Sequence, residues 1–194
     1  MSVLENRLVA LLVVLAVGIA GPLACSPSGS TPPAPACDQS CKDATALRSM
    51  REAMKLAYNV LLQGKPVGAQ DGSSPCPLGG TAHVFGQATS NPIQGATNVD
   101  LTYVFDRCGY AVKDSDPTQT YSMTLTGTVT EKGTIAVQPS STTALDIKSD
   151  AMTLSGTVSD PPLDFQETAC PVVLGQSGNK LSGTICGRTA GLTL

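Results

Sequence analysis

The chain has no tryptophan and a single histidine, His83. Aromatic residues make up 4% of its 194 positions and charged residues 14%. These shortages exclude whole classes of function. A nucleic-acid interface needs a basic patch with aromatic platforms, and a net charge of −3 from dispersed residues supplies neither. A sugar-stacking face would need the missing aromatics. With no Gly-x-Ser-x-Gly elbow or other nucleophile motif, His83 reads as structural or merely exposed. Only its meeting with a nucleophile and a carboxylate in one cleft would revive a catalytic reading. Asp114-Ser115-Asp116 offers too few oxygen ligands for a calcium loop, and turn chemistry explains such aspartates. Structural zinc wants two close-set ligand pairs, and Cys37-x-x-x-Cys41 is a pair without a second. No metal, cofactor or enzymatic activity is expected.

What is present begins at the amino terminus. Thirteen apolar or small residues, Leu8 to Ala20, lead into Gly21-Pro22-Leu23-Ala24-Cys25, and a Ser/Pro/Gly/Ala stretch, Ser26 to Ala36, follows. The apolar run is too short to span a bilayer comfortably and has the small-residue exit of an export signal. Residues 1–24 are therefore expected to be a signal peptide, and 25–36 a tether. The end of this signal resembles the cleavage site of bacterial lipoproteins: Leu23, Ala24 and Cys25 match the last three positions of its box. Pro22 departs from the leucine usual there, and Glu5 offsets Arg7 in a weakly basic leader. The resemblance implies that Cys25 becomes an acylated first residue, with the membrane as partner through its lipid. Ser26, rather than Asp, after the cysteine implies the outer membrane. Ordinary cleavage after Ala24 or Ala36 would instead give a periplasmic or secreted protein.

Seven cysteines are an odd number, and a free thiol is a liability in an oxidising compartment. Setting Cys25 aside leaves Cys37, Cys41, Cys76, Cys108, Cys170 and Cys186, enough for three bridges. Six cysteines allow fifteen connectivities, which geometry narrows. Cys170 and Cys186 flank the turn formers Gly175-Gln176-Ser177-Gly178-Asn179, so a hairpin centred on Gly178 places them opposite one another. Cys76 and Cys108 bracket a looser hairpin around Asn91 to Asn98. Cys37 and Cys41 would bridge each other across one helical turn or tie the helix start to another segment.

Residues 37–194 suit one domain with a real core. From Asp43 to Gln63 the positions Leu47, Met50, Met54, Ala57 and Leu61 recur at helical spacing, which predicts a helix over about 43–63. Ser40 with Asp43 offers a box-like start, and Gly64 with Pro66 a stop. Arg48, Arg51, Glu52 and Lys55 are expected on the opposite surface. Burying four large side chains from this stripe contributes roughly 6 to 12 kcal/mol before ordering entropy, so the helix reads as a partner of a sheet.

The remainder reads as strands with an internal repeat. Leu125-Thr126-Gly127-Thr128-Val129, Leu154-Ser155-Gly156-Thr157-Val158 and Leu181-Ser182-Gly183-Thr184-Ile185 share one pattern, with Val84-Phe85-Gly86-Gln87-Ala88 as a weaker copy. Alternation puts Leu, Gly and Val or Ile on an inner face and the hydroxyls outside. Glycine weakens a strand, so its recurrence implies a sharp bend or a close backbone, for which the helix with Ala46, Ala53 and Ala57 is the candidate. Val99, Leu101, Tyr103 and Phe105 continue the inner face, as do Tyr121 and Met123. Glu131-Lys132-Gly133 and Ser149-Asp150 read as turns, and 64–80 as a Gly/Pro-rich excursion. The expected class is α+β: a curved antiparallel meander of about seven to nine strands packed on one long N-terminal helix and braced by disulfides. Two functions fit it. One is an exported, lipid-anchored envelope protein of structural or interaction type. The other is a carrier or receptor for an apolar ligand held between sheet and helix, which would need an open apolar cavity of about 300 Å³ or more.

Overall fold

A computed structural model describes residues 38–91, 95–113, 120–136, 142–159 and 162–194. The leader, Cys25, the tether, Cys37 and Asp114-Ser115-Asp116 lie outside the described residues, as do the expectations attached to them.

Among the described residues one helix, α1 (Gln39–Leu61), precedes the strands. Its predicted stripe is the buried one: Leu47, Met50 and Met54 are inaccessible to solvent, and Ala57 and Leu61 are nearly so. The helix starts four residues earlier than the spacing predicts, because Asp38 is the cap. Its carboxylate accepts the Cys41 backbone N–H at 2.9 Å, satisfying one of the first-turn donors. Asp43, expected in the cap, is instead buried. At the other end the N–H of Leu62 donates to the Tyr58 carbonyl at 2.8 Å, and Gly64 follows in the left-handed region at φ 80°.

Eight strands form a single antiparallel sheet in chain order: β1 (Gly68–Pro75), β2 (Thr81–Asn91), β3 (Ala96–Val112), β4 (Tyr121–Ala136), β5 (Ala144–Ser159), β6 (Pro162–Ser177), β7 (Lys180–Ile185) and β8 (Arg188–Thr193). The edge strands β1 and β8 do not pair, so the sheet is not closed. Both nevertheless pack against α1, as do β2 and β4. A sheet whose two edges meet the same rod must curve around it, and the helix stripe fills the concave side. Tyr103, Phe105, Leu125, Ile147 and Leu154 supply the facing layer.

Three turn and loop expectations fail, for physical reasons visible in the register. Glu131-Lys132-Gly133 is the continuation of β4, with Glu131 paired to Leu101 on one side and Ile147 on the other. Ser149-Asp150 is not a turn but an irregularity inside β5. The β4–β5 register shifts between Gly127 and Thr130, and the β5–β6 register shifts between Ser149 and Met152, so the apolar parity changes without the chain reversing. Within 64–80, residues 68–75 are the edge strand β1, too polar to alternate visibly.

The repeats do lie inward as expected: Leu125, Val129, Leu154, Val158, Leu181 and Ile185 are all buried. Their glycines, however, do not make room for the helix. A side chain at Gly127, Gly156 or Gly183 would meet the adjacent strand, at the carbonyls of Ala151, Ser122 and Val173 respectively. Gly127 and Gly183 also hold φ of 135° and 149°, which side chains resist. The neighbouring strand is thus the crowding element. Ala53 and Ala57 face the β1–β2 connection instead.

Two bridges brace the sheet. Cys76–Cys108 joins the β1–β2 connection to β3 with the Cα atoms 5.3 Å apart. Cys170–Cys186 joins β6 to the β7–β8 turn at 4.3 Å, around a hairpin turning at Gly178. Cys41 is disulfide-bonded as well.

Candidate functional site

The most unusual group in the core is a carboxylate. Glu131 sits on β4 at an inward position and is 1% exposed. Tyr103, one strand away on β3, donates its hydroxyl to Glu131 Oε2 at 2.6 Å. From the helix, Arg51 brings Nη1 to 3.9 Å from Glu131 Oε1, an oxygen with no hydrogen bond of its own. Arg51 is only 14% exposed, so it belongs to the helix–sheet interface and not to the solvated surface expected for it. Its Nε donates to Gln176 Oε1 at 3.0 Å, and Gln176 in turn donates to the Gly178 carbonyl at 2.9 Å. The network joins α1 to β3, β4 and the β6–β7 turn.

Electrostatically the cluster favours protons. Burial raises the Glu131 carboxyl above its ordinary value, with Arg51 and the Tyr103 hydroxyl pulling the other way. Burial, and then the charge of Glu131, raise Tyr103 strongly and Tyr58 as well, so both phenols remain donors. The desolvation cost of burying such a pair offsets much of what its attraction gains. Sequence reading missed Glu131 by placing it in a turn; its spacing of two from Val129 was the signal that it faces inward.

A second cluster fastens the start of α1. Arg188 on β8 grips Asp43 with Nη2 to Oδ1 at 2.7 Å and Nε to Oδ2 at 2.9 Å, and Nη2 also reaches Glu167 Oε1 at 2.8 Å. Burial pushes the Asp43 carboxyl up, but the donors from Arg188 and Gln39 outweigh it and hold it below the usual range.

His83 does meet a carboxylate. Its Nε2 lies 2.7 Å from Asp71 Oδ1, and Ser73 is its register partner across the hairpin. The group stands on the open face of β1 and β2, with Asp71 81% and His83 39% exposed. That is a solvated pair on a surface, without the cleft that nucleophilic chemistry needs.

Two hollows adjoin the helix. A cleft of about 390 Å³ at its carboxyl end is lined by Tyr58, Leu62 and Ile135, but also by Gln63, Lys65 and Gln70. It has the size set for a ligand cavity and a mixed lining, to which Val67, Ala88 and Ala136 add apolar surface. Between α1 and segment 74–77 lies a groove of about 70 Å³, lined almost entirely by apolar groups including Leu56, Val60, Pro77 and Tyr110. Among the described residues no group of three or more His, Cys, Asp and Glu could hold a metal ion, and no helix is long and apolar enough to cross a membrane. No family model matches the chain, and neither a curated protein nor a solved structure is detectably similar to it.

Proposed function

We propose that this is an exported envelope protein of structural or interaction type, lipid-anchored at Cys25 in the outer membrane, carrying a disulfide-braced domain on the tether 26–36. The observation that carries this reading is the oxidised state of the cysteines. Cys41, Cys76, Cys108, Cys170 and Cys186 are all in bridges, which suits a compartment outside the reducing cytosol. Once the other six cysteines are assigned to three bridges, Cys25 is the odd one, and it stands where the lipoprotein-like box ends.

The filled concave side favours a scaffold over a carrier. Leu47, Met50 and Met54 occupy the space that an apolar ligand would take. The mixed lining of the cleft near Tyr58 does not replace it.

Intact-mass measurement of the mature protein, purified from a membrane fraction without reductant, tests the proposal. Expected are a chain beginning at Cys25, acyl mass on that residue and six fewer thiol hydrogens. Cys25→Ser should lose the acyl mass and appear in the soluble fraction. A chain starting elsewhere, or an unmodified Cys25, would overturn the reading.

A further inference from the structure

Leu56 and Val60 line the small groove, Leu78 follows Pro77 of its other wall, and all three side chains stand uncovered. Leu56, Val60 and Leu78 are 37%, 59% and 58% exposed. Single exposed apolar residues are ordinary on a protein surface, but several set around an apolar groove are a feature of binding faces. This apolar rim is also rigid. Cys76–Cys108 pins its loop side, and Leu78 N–H donates to the Gly109 carbonyl at 2.8 Å.

We propose that this rim docks on an anionic lipid bilayer, with α1 lying along the membrane plane. The inference rests on the lipid attachment at Cys25 proposed above and adds the orientation of the domain and the chemistry of the surface. Charge points the same way. Residues 38–67 carry five Lys and Arg against three Asp and Glu, whereas the whole chain is net −3. Asp43 is buried against Arg188 and Arg51 against Glu131, which leaves Lys42, Arg48, Lys55 and Lys65 against Asp38 and Glu52. The helix segment is therefore a basic stretch of an acidic protein, the combination that anionic headgroups attract. Leu56 and Val60, one helical turn apart, project together as interfacial residues do.

Reach fits as well. The uncharged tether of eleven residues, Ser26 to Ala36, spans about 34 Å when extended in polyproline form. The 23 residues of α1 are about as long. A domain anchored at Cys25 can thus lie flat with Val60 on the surface. The anchor holds the rim at high local concentration, so a contact too weak to bind alone becomes populated. A groove of about 70 Å³ is too small to seat a helix or strand of a second copy, and three uncovered side chains fall well short of a stable protein interface.

The test uses the mature chain, residues 25–194 with Cys25→Ser, so that docking is read without the lipid and without the apolar leader. Its co-flotation is measured with vesicles of phosphatidylethanolamine alone and with phosphatidylglycerol added. Expected is weak partitioning that needs phosphatidylglycerol and falls about tenfold with Leu56→Glu plus Val60→Glu. Leu78→Glu, a loop change that spares the helix, should weaken it too. Val173→Glu, which alters an apolar residue 52% exposed on the outer face of β6, should leave it unchanged. Circular dichroism checks that each variant is folded. No partitioning, or equal loss with Val173→Glu, would overturn the proposal. So would concentration-dependent dimerisation that Val60→Glu abolishes, which would assign the rim to a second copy. An unacylated wild-type Cys25 would defeat the anchoring proposal alone, leaving the vesicle measurement readable.

Discussion

Arg188→Ala tests the fastening of the helix most directly. In the intact protein the Asp43 side chain is 7% exposed and receives three hydrogen bonds from one guanidinium, at 2.7, 2.9 and 3.2 Å. Removing Arg188 strands that carboxylate with only the Gln39 amide at 3.0 Å. Breaking a fully buried pair by deleting one partner costs about 3–5 kcal/mol. Arg188 is 36% exposed, however, so water screens part of the interaction and can enter where the side chain was. The expected loss is then about 1.5–3 kcal/mol at pH 7, or roughly 4–10 °C in Tm for a domain of this size. Urea unfolding followed by far-UV circular dichroism or tyrosine emission measures it, since there is no tryptophan. The pH dependence follows from the depressed Asp43 pKa. A carboxyl held low contributes stability above its unfolded value, near 3.8, and loses it as pH falls through the folded value. The penalty of Arg188→Ala should therefore shrink on acidification below about pH 4. Asp43→Asn added to Arg188→Ala should recover part of the loss at pH 7, because no bare charge is left. A loss under about 0.5 kcal/mol, a penalty that is the same at pH 7 and pH 3, or no recovery in the double variant would refute the reasoning.

Two further outcomes follow from the core. Glu131 has a raised pKa, so its contribution to stability is fully present below the unfolded value, near 4.5, and is lost as pH rises through the folded value. Urea midpoints of wild type relative to Glu131→Gln should accordingly be higher at pH 4.5 than at pH 8; a difference independent of pH would remove Glu131 from the account. Gly183→Ala should cost about 2–3 kcal/mol, from its φ of 149° and the Val173 carbonyl in the path of the new methyl. Gly175→Ala, with nothing within 4 Å and no positive φ, should change stability by less than about 0.5 kcal/mol, and equal losses at both glycines would refute the crowding argument.

Periodicity carried far along this chain and then failed at identifiable places. The stripe from Leu47 to Leu61 placed the helix, because a helix that buries one face repeats its apolar residues in the sequence itself. The Leu-x-Gly-x-Val copies placed three inner strand segments for the same reason. Parity broke where β4 and β5 bulge, and a bulge and a turn look alike when only one strand is visible. Edge strand β1 buries Gln70 in place of an apolar residue and left no alternation to follow. Of the groups that mark the site, Arg51 read as a surface charge and Glu131 as a turn, since their burial depends on residues far away.

The sequence by itself determined what depends on local order: one amphipathic helix, strands with an inner and a hydroxyl face, and cysteines placed to bridge Cys170 with Cys186 around Gly178. Tertiary structure alone decided what depends on distant segments meeting. It set the wrap that brings β1 and β8 to the same helix, the pairing of Asp43 with Arg188 across 145 residues, and the enclosure of Glu131 with Tyr103. The reason is one of range. Backbone and side-chain preferences act over a few residues and repeat visibly, whereas burial and charge pairing are set by which remote surfaces close on each other.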